Sequence, residues 1–252
     1  MKTIRQTLPS PFTAFKALFR ADSIVQFRQR RSIVMSVMLP ALFLIPMKRS
    51  IPILGPVNVL AACIAIGLPA IGLMGYSLIV ARDRERGVFQ RVRTTPTATW
   101  VIMSSRILVQ ILIMVLVTAL VIVAAYYIAG IQTSVGSALL AMVAVTLCGA
   151  IFLALGQLIV ALVTSSETVN AATRFIYTAI IFTGVFGAAA KPSNPWHSIA
   201  EWSPMGVTTT IVAQALSPHT AGHHVLLSSL AALAYTLVFA VIGIRWFKWT
   251  VA

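Results

Sequence analysis

The chain has 252 residues, 59% of them hydrophobic and 10% charged, and its mean hydropathy is +0.93. Soluble domains run at roughly 45–50% apolar and about 25% charged, so these figures read as a polytopic membrane protein and exclude a soluble enzyme. The balance of 19 Lys+Arg against 5 Asp+Glu, net +14, suggests nucleic acid only in a soluble chain; here basic residues belong at the inner ends of spans, against anionic lipid, and no nucleic-acid partner is expected.

In chain order, residues 1–31 form a cytoplasmic N-terminal unit with seven basic residues. Phe12, Phe15 and Phe19 recur at helical spacing, with Lys16 and Arg20 on another face. That pattern predicts an amphipathic helix in the membrane interface; the competing reading is a basic tail without fixed structure. The first long apolar run begins near Ile33, too late for a signal peptide, so the first span is expected to insert uncleaved.

Residues 32–252 hold the spans. Charge-free runs, set against the roughly 20 residues a span needs, give six spans, the first and fifth resting on runs of 16: roughly 32–48, 57–80, 105–129, 136–163, 169–190 and 225–245. Pro40 interrupts the first, and Gly130 to Gly136 marks the turn between the third and fourth. With the N-terminus inside, 16 basic residues fall in inner segments and three (Lys48, Arg49, Lys191) in outer ones. The bias predicts N-in and C-in. Cys63 and Cys148 lie in apolar runs and read as small packing residues.

Several chemistries are missing. None of the five lysines follows a glycine, so no P-loop can hold ATP here. There is no His-Glu-x-x-His and no Gly-x-Ser-x-Gly elbow. No catalytic, cofactor or metal residue is expected. The five acids (Asp22, Asp83, Glu85, Glu167, Glu201) map to membrane edges, which disfavours an ion-coupled carrier.

Two segments remain. Inside, Arg82–Met103 carries both charges, then the short apolar stripe Val88, Phe89, Val92, closed by Thr95-Pro96. A short amphipathic helix there suits docking to a soluble partner; a solvated loop is the plainer alternative. Outside, Lys191–His223 contains Pro195-Trp196 and Ser203-Pro204-Met205.

The inner segment resembles the signature of type 2 ABC transporter permeases, the ABC-2 membrane subunits: Glu85, Gly87, Val88, Phe89, Val92, Thr95 and Pro96 match, and Gln90 stands where a second Glu is usual. The outer segment is similar to the region before the last span in drug-exporting members, with Pro195, Trp196, Ile199, Ala200, Ser203 and Pro204 matching; Gln214-Ala215-Leu216 stands where an arginine is expected. The resemblance covers the whole chain and is nearest to bacterial drug and antibiotic efflux permeases, of the kind exporting anthracyclines or fluoroquinolones.

The resemblance implies an all-α integral membrane protein with an N-terminal elbow helix, a cytoplasmic coupling helix and short external re-entrant helices before the last span. Two such permeases, alike or different, would face each other in the bacterial inner membrane above two separate ATP-binding subunits. This chain would bind no cofactor itself, ATP being bound by the partner. Residues 85–96 would be the coupling helix, with Glu85 and Gly87 in contact with the ATPase and Arg84, Arg86 and Arg91 as charge partners. Pro195, Trp196, Ser203 and Pro204 would belong to the external cap. Alternatives are an ABC-2 exporter of polysaccharide or lipid, a stand-alone secondary transporter, and an intramembrane enzyme.

Overall fold

The apolar runs fold as helices because a bilayer leaves no other partner for the backbone polar groups of a spanning segment. The computed structural model describes residues 11–28, 30–88, 99–188, 193–217 and 223–246. Among the described residues every regular element is helical. In chain order they are α1 (Pro11–Arg28), α2 (Arg30–Met47), a 3-10 turn (Lys48–Ser50), α3 (Ile51–Leu54), α4 (Pro56–Pro69), a π-helical segment (Ala70–Tyr76), α5 (Ser77–Glu85), α6 (Thr99–Ala129), α7 (Val135–Leu162), α8 (Ser166–Ala188), α9 (Pro195–Trp202), α10 (Pro204–Leu216) and α11 (His223–Arg245).

Each of the six expected spans overlaps a helical stretch among the described residues. Four are long and apolar enough to cross a membrane among the described residues: Pro56–Glu85, Val101–Ala129, Val135–Leu162 and His224–Arg245. The other two expected spans correspond to α2 and α8. Helix α2 has 18 residues, opens on Arg30 and Arg31, and reaches only about 27 Å at 1.5 Å per residue. Helix α8 has 23 residues but carries Glu167 and Arg174. Pro40 does not break α2. It lies inside the helix, buried, where its ring faces Gly67 of α4.

The expected inner loop is shorter than Arg82–Met103. The second span runs on to Glu85 and α6 begins at Thr99. At the far turn, α6 ends on Gly130, whose φ of 68° requires glycine or strain. Its N–H donates to Tyr126 O and that of Ile131 to Ala125 O, the pairing that closes a helix C-terminus. Ser134 then caps α7 by accepting from Ser137 N.

The core is a helix-on-helix packing built on α4, the π segment, α6 and α7, with Leu60, Ile64, Leu68, Tyr76, Met114, Ile151 and Phe152 among its buried side chains. Pro69 has no N–H to give, and the wider π turn follows directly after it. There the chain comes very close to α7. A Cβ on Gly156 would lie 2.6 Å from Ser77 Oγ and 2.7 Å from Gly72 O. Small residues at such crossings let membrane helices pack backbone to backbone. Helix α11 lies along α7, and α10 sits against both α4 and α7.

Candidate coupling site and groove

Four successive helix ends meet at one end of the bundle: the close of α5, the start of α6, the close of α7 and the start of α8. Helix α1 packs against α6 there. Here Asp83 Oδ2 and Arg106 Nη1 are 2.7 Å apart. The Ser105 hydroxyl donates to the Asp22 carboxylate, tying α1 to α6. Burial pushes the Asp22 carboxyl above its usual range, while the Ser105 hydrogen bond and the Arg106 charge oppose that rise.

The adjacent residues Arg84 and Glu85 act on two helix ends of opposite polarity. Arg84 is buried, with 3% of its surface exposed. Its Nη1 donates to Val160 O at 2.7 Å, and its Nη2 to Val163 O at 2.5 Å and Thr164 O at 2.8 Å. These carbonyls belong to the end of α7 and the turn after it, where the helix dipole is negative and acceptors lack intrahelical donors. Glu85 is exposed, and its Oε1 accepts from Ser166 N at 2.6 Å. Ser166 opens α8, the positive end of that dipole, where a carboxylate is favoured. One cation and one anion, side by side on α5, therefore hold the α7–α8 connection from both sides.

The Arg84 guanidinium faces inward onto backbone carbonyls. Gly87 has a local cause as well. Arg86 N donates to Arg82 O and Gly87 N to Arg84 O, and Gly87 takes φ 67°, the left-handed residue that commonly ends a helix. Arg86 is exposed and Val88 half-buried. Phe89, Gln90, Arg91, Val92, Thr95 and Pro96 lie outside the described residues, and so does the expected coupling helix beyond Val88.

At the opposite end, Lys48 Nζ donates to Ile128 O at 3.1 Å, joining the ends of α2 and α6. The matched outer residues sit at helix starts. Asn194 Oδ1 accepts from Trp196 N at 3.0 Å, with Pro195 in the first turn of α9. Ser203 Oγ accepts from Gly206 N at 3.1 Å and donates to Ala200 O at 2.7 Å, with Pro204 opening α10. Both are an N-cap followed by proline, the strongest local start signal for a helix. Helix α9 lies on α8, and Tyr235 Oη donates to Trp202 O at 2.8 Å, fixing it to α11. Helix α10 turns inward, burying Met205, Val207, Ile211 and Val212.

Between α8 and the head of α9 lies a groove of about 530 Å³ lined by Phe175, Thr178, Phe182 and Thr183 of α8 together with Asn194 and Trp196. Phe175 is 77% and Phe182 60% exposed. Sequence reasoning missed this face and the Asp22–Ser105 and Asp83–Arg106 pairs. An acid in a basic segment was the one available signal for Asp22.

A sequence profile of the ABC-2 type transporter family matches residues 13–217. The chain belongs to that family. The match runs from α1 to the end of α10, so it includes the clamp at Arg84–Glu85 and the groove on α8. No curated protein matches the chain in sequence. It is thus an ABC exporter permease and a multi-pass membrane protein, of a family that generally works with an ATP-binding subunit.

Proposed function

We propose that this permease exports a small amphiphilic drug or antibiotic, of anthracycline or fluoroquinolone type, across the inner membrane of a bacterial cell. The observation that carries this reading is the groove on α8. Its volume of about 530 Å³ lies in the roughly 300–1,000 Å³ range of small-molecule sites. Its phenylalanines alternate with threonine hydroxyls, which suits a flat aromatic compound with polar edges. It opens outward from one subunit, so a second permease, alike or different, would close the path.

The remaining arrangement belongs to the same proposal. Six spans run N-in and C-in, with α1 in the cytoplasmic interface and α9–α10 as an external re-entrant cap. Two ATP-binding subunits dock on the segment from Arg86 to Pro96. This chain does no chemistry and holds no cofactor; it converts ATPase closure into movement of its helices.

The test is reconstitution of the permease with its ATPase subunits in inside-out vesicles, following a fluorescent anthracycline. ATP-dependent uptake that stops when ATP is omitted is the expected result. Uptake that needs no ATPase and collapses with the proton gradient would make the chain a secondary carrier. Flipping of labelled lipid or polysaccharide with no drug uptake would move the cargo to that class.

A further inference from the structure

We propose that Arg84 and Glu85 are positioning residues that carry force within the permease, from the coupling segment to α8, rather than docking contacts for the ATPase. The inference rests on the exporter reading for its functional consequence, though the clamp itself does not. Three observations meet. First, the second span and the start of the coupling segment are one continuous helix to Glu85, closed by the Gly87 turn. A push on the end of α5 therefore acts directly on Arg84 and Glu85, which lie in its last turn. Second, those two side chains grip Val160, Val163, Thr164 and Ser166 across the α7–α8 turn. Third, α8 runs unbroken from Ser166 to Ala188 and carries the exposed groove face. A rigid helix gripped at its first residue moves along its whole length. The partners suit the task, because charge-assisted bonds to helix ends are short and directional.

The signature acid is thereby given an internal partner. Docking and clamping make opposite predictions at Ser166, which lies on another helix. Ser166→Pro deletes the N–H that Glu85 accepts from, at a helix-opening position that tolerates proline. Glu85→Gln keeps the shape and removes the charge.

The experiment measures drug transported per ATP hydrolysed in the reconstituted complex for Glu85→Gln, Ser166→Pro and the double variant. It also measures co-purification of the ATPase and hydrogen exchange at residues 166–169. The clamp predicts that each single variant lowers coupling by about tenfold, with the double variant no worse than either. It further predicts unchanged ATPase co-purification, faster exchange at the start of α8 in Glu85→Gln, and partial rescue by Glu85→Asp. Loss of the ATPase from Glu85→Gln, or full coupling in Ser166→Pro, would overturn the proposal. If the wild-type permease brings down no ATPase, the exporter reading fails instead. The exchange measurement then still decides the clamp, and unchanged exchange in Glu85→Gln refutes it.

Discussion

The charged end of the bundle and the groove on α8 are built on opposite principles. At the charged end, Arg84, Glu85, Asp83 and Asp22 all have partners on other elements, and α1, α5, α6, α7 and α8 are joined by directional bonds. In the groove, Phe175 and Phe182 stand largely exposed, and the Thr178 and Thr183 hydroxyls donate back to Arg174 O and Ala179 O on their own helix. The first region is pre-organised and costly to disturb. The second has exposed aromatic surface to offer. On the proposed reading the two are complementary: a stiff end would receive force and an open face would receive cargo.

The comparison breaks most readily at Arg84. Arg84→Met keeps the bulk but leaves three carbonyls at the end of α7 without their donors. Each lost bond of this charged, buried kind is worth roughly 1.5–3 kcal/mol, so a loss of about 3 kcal/mol or more is expected. A large drop in melting temperature in detergent, with poor yield, would show it. Arg84→Lys should recover only part, because one ammonium cannot reproduce the planar fork that reaches both Val160 O and Thr164 O. Next comes Gly87→Ala. With φ at 67° a Cβ is strained there, and about 1 kcal/mol is expected. The same melting assay reads it, and hydrogen exchange should localise the change to the end of α5.

These two residues show how the sequence pattern serves and where it stops. The span map follows from charge-free runs, since a bilayer tolerates little else. Helix ends do not follow from such runs. Arg82 to Glu85 read as loop because they are charged, yet α5 continues through them, since Asp83 meets Arg106 and Arg84 meets backbone carbonyls. A charge with a partner 23 or 76 positions away is silent in a one-dimensional pattern. The Glu85–Gly87 motif is legible as a family mark, but its cause is geometric: a left-handed turn at one residue and a helix cap at the other. Ser203-Pro204 is the converse case, where local capping chemistry alone signals the start of α10. The groove was hidden for a third reason. Phe175 and Phe182 sit in an apolar run, and exposure cannot be told from burial there without the neighbouring helices.

Asp22→Asn probes the charged end more gently. Burial holds the Asp22 carboxyl above its usual range, so the folded state favours the protonated form. That contribution is present at low pH and lost as pH rises through the folded-state value. Asparagine keeps an oxygen for the Ser105 hydroxyl and removes the charge. The stability change at neutral pH should stay within about 1 kcal/mol, and the variant's melting curve should respond less to acidification than the parent's. A loss as large as that of Arg84→Met would mean that α1 is held by charge rather than by shape.

The smallest effect on the fold is expected at Phe182→Ala. Its ring is 60% exposed, so truncation leaves no sealed cavity, and substitutions of this kind usually fall within about 0.5 kcal/mol. Melting temperature and ATPase co-purification should match the parent. Transport should not: a ring that stacks on cargo sets affinity, so the half-saturating anthracycline concentration should rise several-fold with maximal rate little changed. Phe182→Tyr, which keeps the ring, should restore it. If Phe182→Ala lowers stability as much as Gly87→Ala while leaving transport untouched, the ring serves packing, and the α8 face is not a wall of the path.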